Sequence, residues 1–300
     1  PGSGLSTGHI GAIFDMNYTG KGLKIAEVLP DGMLALTFPE AEAGDIITAI
    51  NGEPVGEKSW FEALAMKTSR RTQFTIKHKG KESIIYMTPN GSDATLLYRR
   101  WIRQREEMVS KLSGGRVGYV HVEGMNSPSF REVYSKALGK YRSCDALIVD
   151  TRHNGGGWLH DDLATFLSGK AYIEWRPRGQ YIGSEPYSKW NKASCVLMGE
   201  DNYSDASGFP YTYKTLGIGK LIGAGVPGTM TAVWWETQID NSLVFGIPQV
   251  TGWALKEDRP LENMQIEPDI EVHNDPASRI EGKDRQLETA VAEMLKTIAK

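Results

Sequence analysis

Cysteine is nearly absent from this chain, with only Cys144 and Cys195 among 300 residues. Both border apolar runs, so buried thiols are expected rather than a disulfide framework, and no Cys/His spacing suits zinc. Long apolar runs are also missing. Nothing approaches the roughly 18 residues that a membrane-crossing helix needs. Neither charge sign dominates: 34 Lys and Arg against 37 Asp and Glu leave a net charge of −3. That balance argues against nucleic acid or another polyanion as partner. Neither GxxxxGK[ST] nor GxGxxG occurs, which removes the common phosphate cradles. The chain opens with Pro1-Gly2-Ser3-Gly4, without Met or signal peptide, and reads as a fragment or processed product of a soluble protein. Its compartment, cytoplasmic or periplasmic, stays open.

What is present is ordinary globular material, 40% hydrophobic and 24% charged, long enough for two domains. Residues 1–20 form an N-terminal segment in which Leu5-Ser6-Thr7-Gly8-His9 leads into a strand-like opening. Residues 21–92 read as a small, mainly β domain. LKIAEVLP, MLALTF, DIITAI, TQFTIKHK and SIIYMTP are predicted strands, with one helix near 58–67. Its GDIITAINGEPV segment resembles the PDZ family, whose members bind a peptide by adding it to a sheet edge. Residues 93–115 are a connecting helix with an apolar stripe through Leu97, Trp101 and Val109, ended by Gly114-Gly115.

From residue 116 to 300 the pattern becomes α/β. Apolar runs RVGYVHVEG, DALIVDTR, CVLM and KLIGA alternate with helices predicted over 127–141 and 158–167, and an amphipathic helix closes at 285–298. Such runs indicate a mainly parallel sheet buried on both faces. Segments from Ala232 to Val250 read as hairpin strands.

Three loops of this region carry chemistry, and ligands in such sheets bind beyond the carboxyl ends of strands. In Asp150-Thr151-Arg152-His153-Asn154-Gly155-Gly156-Gly157, a glycine triplet between strand and helix offers free N–H groups to an anion. In the second loop, Ser204-Asp205-Ala206-Ser207-Gly208 follows a buried strand, as a rigidly held nucleophile would. The third contains Leu261-Glu262-Asn263 and, beyond it, Glu267-Pro268-Asp269.

Taken together, DTRHNGGG, the Ser204 loop followed by Phe209, LGIGKLIG at 216–223 and the Glu262 segment resemble the S41 serine peptidases. The similarity is to the tricorn-type branch, related to the C-terminal processing peptidases, and covers nearly the whole chain. It implies a catalytic domain of the Clp-protease/crotonase-like kind beside the PDZ-like one. It also implies Ser204 as nucleophile, His9 as general base and Glu262 as the carboxylate that orients the imidazole. The amides of Gly157 and Asp205 would form the oxyanion hole. No metal or organic cofactor is implied. Peptides or unfolded protein segments are the implied substrate, and a homo-oligomer the implied assembly. Because His9 comes from outside the α/β domain, removing residues 1–12 is expected to abolish activity and leave the fold.

The chain departs from the family at three places. Thr229 stands where the processing peptidases carry a catalytic lysine, which argues against a Ser–Lys dyad. Gly8 replaces a serine that supports the carboxylate in the tricorn-type site. The acidic residue that selects basic side chains falls near Glu174 or Trp175, with Glu174 the candidate specificity residue. A non-catalytic peptide binder on a decayed protease scaffold is the main rival reading. A crotonase-like acyl-thioester enzyme or lipid binder ranks below it.

Overall fold

A computed structural model describes residues 6–299, so Leu5 and the residues before it lie outside the described chain. Two compact units meet in sequence between Gln104 and Arg105.

The first unit runs β1 (Ala12–Phe14), β2 (Leu23–Val28), α1 (Met33–Thr37), β3 (Ile46–Ile50), β4 (Glu53–Pro54), α2 (Trp60–Ala63), β5 (Thr72–His78) and β6 (Lys81–Met87). Its six strands form an antiparallel sheet ordered β1-β2-β3-β5-β6, with β4 paired to β3. Residues alternate as a one-sided sheet requires: Phe74 and Ile76 are fully buried while Lys77 is exposed. With them Ile10, Ile25, Leu34 and Leu64 make the core. The predicted strand MLALTF is instead α1. Leu34 and Phe38, four apart, face inward while Leu36 is 67% exposed, the spacing of a helical turn that a short apolar run disguises. The helix predicted over 58–67 contracts to α2, which opens on a Ser59/Glu62 capping box.

The helix α3 (Ala94–Ser113) contains the boundary between units. The second unit continues with β7 (Val117–His121), α4 (Ser127–Ser135), β8 (Ala146–Asp150), α5 (His160–Leu167), β9 (Ile173–Trp175), β10 (Gly183–Glu185), β11 (Ala193–Met198), α6 (Asp205–Thr215) and β12 (Lys220–Gly223). It closes with β13 (Thr231–Thr237), β14 (Val244–Thr251), β15 (Trp253–Ala254), β16 (Arg259–Pro260), β17 (Ile270–Glu271), α7 (Pro276–Ile280) and α8 (Arg285–Ile298). Its main sheet is all parallel, ordered β17-β12-β11-β8-β7. Every residue of β7 and β8 is buried, as expected of strands covered on both faces. Both thiols are free and buried, Cys195 within β11 and Cys144 ahead of β8. The pairs β9–β10, β13–β14 and β15–β16 stand apart from this sheet as two-stranded ribbons. Among the described residues no helix is long and apolar enough to cross a membrane.

Candidate active site

The glycine-bearing loop leaves β8 at Asp150. That carboxylate is fully buried and receives Arg152 Nη2 at 2.7 Å and the Tyr119 hydroxyl at 2.8 Å. Arg152 also donates to Asp284 at 2.9 Å and Gln286 at 3.0 Å, at the start of α8. Burial by itself would raise the Asp150 carboxyl, and the guanidinium beside it outweighs this and holds it below the usual carboxylate range. The first half of the loop motif is therefore structural, pinning α8 beneath the strand end.

Asn154 shapes the second half. It is wholly buried, donates to Val122 O at 2.7 Å and accepts the Gly156 N–H at 2.8 Å. Met125 N donates to Gly156 O at 3.0 Å, and Trp158 N to Met125 O at 2.7 Å. In such a bridge the intervening Gly157 N–H turns to the side away from Met125. Gly157 has φ +143°, and a Cβ there would lie 2.1 Å from Met125 O, so only glycine fits.

Ser204 sits on the turn between β11 and α6 with φ 54° and ψ −124°. A non-glycine residue in this region carries strain of order 1–3 kcal/mol, which persists only where surrounding contacts hold it. Those contacts are visible. Ser204 N donates to the Thr229 hydroxyl at 2.9 Å, and Tyr203 N to Asn154 O at 3.0 Å. A Cβ on Gly156 would stand 2.6 Å from Ser204 Cβ and 3.2 Å from Asp205 N. The glycine loop and the serine turn thus pack backbone to backbone. Buried Asn202 donates to Ala206 O at 3.2 Å, supplying the bond that Pro210, within α6, cannot make.

Glu262 is half-buried, and its carboxylate accepts the Thr231 N–H at 2.9 Å. Asn263 N donates to Gly228 O at 2.8 Å, so this loop is pinned to the segment that bears Thr229. The 228–231 segment thus touches both the Ser204 turn and the Glu262 loop, while Gly156 packs against Ser204 from the other loop.

His9 belongs to the first unit. Its backbone exchanges both hydrogen bonds with Asn90, and its Nδ1 lies 4.0 Å from the Asp93 carboxylate. Burial raises the Asp93 carboxyl against the opposing Gly11 N–H and His9. Ile10, next to His9, is 1% exposed in the first unit's core, and its carbonyl accepts Leu34 N at 2.8 Å. Removing residues 1–12 would therefore strip core and strand from that unit, correcting the expectation that the fold survives it.

Glu174 lies exposed on β9, with its carboxylate held by Arg176 at 2.5 and 2.8 Å. Sequence reasoning passed over His160, which the structure places on Asp205: the imidazole Nδ1 meets one carboxylate oxygen. That hydrogen bond raises the His160 pKa; burial opposes it, and the charges of Asp205, Asp161 and Asp162 assist. His160 lies in none of the motifs that the sequence offers, so no local signal marks it. Among the described residues Glu42, Asp45 and His78 bring ligand atoms within 4.8 Å of one another. Those donors are already engaged, His78 with Asp45 at 3.0 Å and Glu42 with Lys79 at 3.3 Å.

A family model described as peptidase family S41 matches residues 116–272. The tricorn protease of Thermoplasma volcanium is 27% identical over 267 residues, covering 88% of this chain and 26% of that protein. Tricorn protease homolog 1 of Streptomyces coelicolor is 27% identical over 303 residues, covering 97% and 28%. A crystal structure of the tricorn protease superposes with a TM-score of 0.87 at 24% identity, over 98% of this chain and 29% of that one, a likeness of fold. The chain spans about a quarter of the length of these relatives.

Proposed function

The chain belongs to peptidase family S41, a family of serine-type peptidases, and from that premise we propose that it hydrolyses peptide bonds with Ser204 as nucleophile. The observation that carries this reading is the strained Ser204 backbone, φ 54° and ψ −124°, at a strand-to-helix turn packed against a glycine loop.

In this reading His9 Nε2 or Nδ1 takes the Ser204 hydroxyl proton as Oγ bonds to the substrate carbonyl carbon. The carbonyl π electrons move to oxygen, and the N–H groups of Gly157 and Asp205 stabilise the resulting oxyanion, each by roughly 3 kcal/mol. Collapse expels the amine, protonated by the imidazolium, and water then hydrolyses the acyl-enzyme by the same route. Glu262 orients the imidazole and stabilises its charged form. The reading needs no metal or organic cofactor. Thr229 engages the Ser204 backbone, so it is cast as a support and not as a base.

Peptides or unfolded protein segments are the proposed substrates, and homo-oligomerisation the proposed assembly. The first unit is read as PDZ-like. Its antiparallel sheet ends at β1, beside a cavity of about 340 Å³ lined by Ile10, Ile13, Phe14, Trp60 and Leu64. An extended peptide would add to such an edge and seat a side chain in such a cavity. Glu174 as a selector of basic side chains would require Arg176 to release it.

A second reading, peptide binding without turnover, is favoured by Gly8. A Cβ there would lie 2.8 Å from Pro89 Cβ, so the supporting serine is absent from a position that excludes it. Labelling by a fluorophosphonate probe, together with turnover of fluorogenic peptides, separates the two. Wild type should react and Ser204→Ala should not; equal turnover by both proteins would overturn the catalytic reading.

A further inference from the structure

The carboxylate of Asp205 reaches away from its own helix to the first turn of α5. Its Oδ2 accepts the N–H of Leu159 at 2.5 Å and of His160 at 3.0 Å, and its Oδ1 meets His160 Nδ1. Leu159 is the N-cap residue of α5 and provides no capping side chain. Asp205 therefore caps α5 from a second helix, satisfying N–H groups that a helix start leaves unpaired. The residue is 2% exposed, so these bonds form in a largely dry setting.

The location gives the cap a consequence for chemistry. Gly157 stands two residues before Leu159, and Asp205 is the first residue of α6. One carboxylate thus ties the loop bearing one proposed oxyanion donor to the residue whose own N–H is the other. The spacing of the two donors follows from this clamp. The same carboxylate is also a liability, because a full negative charge beside the donors opposes the oxyanion that they stabilise. A protonated His160 offsets that charge.

We propose that His160 is a positioning residue of the oxyanion hole, acting through Asp205 to fix the Gly157 and Asp205 amides and to neutralise the carboxylate beside them. The inference rests on the reading of Ser204 as nucleophile. The groups acting on His160 are Asp205 from α6, Asp161 and Asp162 from its own helix, and the Trp158 ring 5.6 Å away. All three charges are negative, and the hydrogen bond to Asp205 raises the imidazole pKa above its ordinary 6.5. As pH climbs through that raised value the imidazolium is lost, and the Asp205 charge is no longer balanced.

The test compares wild type with His160→Asn, which can still donate from near the Nδ1 position but carries no charge, and with His160→Ala. Rates on one fluorogenic peptide are measured from pH 5.5 to 9, with thermal melting as a control for folding. His160→Asn should lower kcat about tenfold with KM within about twofold, and the alkaline decline of kcat should disappear. His160→Ala should lose more, about a hundredfold, because both geometry and charge go. An NMR titration of the His160 ring should give a midpoint above 6.5 in wild type and a lower one in Asp205→Asn. If wild type turns over and both His160 variants keep its kcat and its pH profile, the inference is overturned while the Ser204 reading stands. If wild type neither turns over nor labels at Ser204, the catalytic reading fails and this inference falls with it.

Discussion

The backbone N–H of Ser204 donates a 2.9 Å hydrogen bond to the hydroxyl of Thr229. The same segment accepts Ser207 as partner, with Thr229 N donating to Ser207 Oγ at 3.4 Å. Thr229 thus holds the serine turn from outside while the glycine loop holds it from within.

Thr229→Val removes the acceptor and leaves the Ser204 N–H unsatisfied, at a cost of about 1–3 kcal/mol. Turnover should fall at least tenfold, with Thr229→Ser close to wild type. Thr229→Lys should behave like the valine variant and not create a new base. Steady-state kinetics on the four proteins checks this; a Thr229→Lys protein that gains activity would contradict the assignment.

Gly156→Ala places a methyl group 2.6 Å from Ser204 Cβ, at a φ of +99° that alanine tolerates poorly. The loop and the turn must separate. The expected result is a loss of fluorophosphonate labelling by two orders of magnitude with a stability loss of about 1–3 kcal/mol, measured by denaturant unfolding. Labelling at the wild-type rate would show that the loop does not shape the nucleophile.

Gly8→Ser adds the serine that the proposed site lacks, yet its Cβ would meet Pro89 Cβ at 2.8 Å. The substitution should therefore lower the melting temperature instead of raising kcat. Pairing it with Pro89→Gly, which removes the clashing Cβ, tests the cause. The double variant should recover stability, since two residues in contact do not contribute additively.

His9→Ala replaces the deletion of residues 1–12 as the test of the proposed base. It spares Ile10 and the β1 pairing with β2, and the protein should melt near wild type while kcat falls by about 10³–10⁴. A His9→Ala protein with full activity would show that another base operates.

Stability should depend on pH through His160. Its folded pKa lies above the unfolded 6.5 because of Asp205, so the folded state binds the proton more tightly. The contribution is complete below pH 6.5 and is lost as pH rises through the higher folded value. Asp284, beside Arg152, acts in the opposite sense: burial raises its carboxyl, the guanidinium outweighs it, and the net effect is a depressed pKa. Its contribution is present above about pH 3.8 and is lost as pH falls through the depressed folded value. Melting curves from pH 3 to 9 should therefore fall away at both ends, and only the alkaline loss should vanish in His160→Asn.

Sequence alone determined the parallel α/β unit, because strands buried on both faces, such as β8, are apolar at every position and announce themselves without neighbours. It also determined α8, whose apolar spacing is purely local, and the loops that carry Gly157, Ser204 and Glu262. Where a run was too short to hold a period, as in MLALTF, it misled, and α1 took its helical form from packing of Leu34 and Phe38. What only the tertiary structure decided is how the loops meet. Ser204 is held at a strained φ by Thr229, 25 residues away, and Gly156 fits against its Cβ. Asp205 caps a helix 45 residues upstream through His160, a histidine in no motif. Such contacts depend on distances in space between segments remote in sequence, and no local pattern of residue types encodes them.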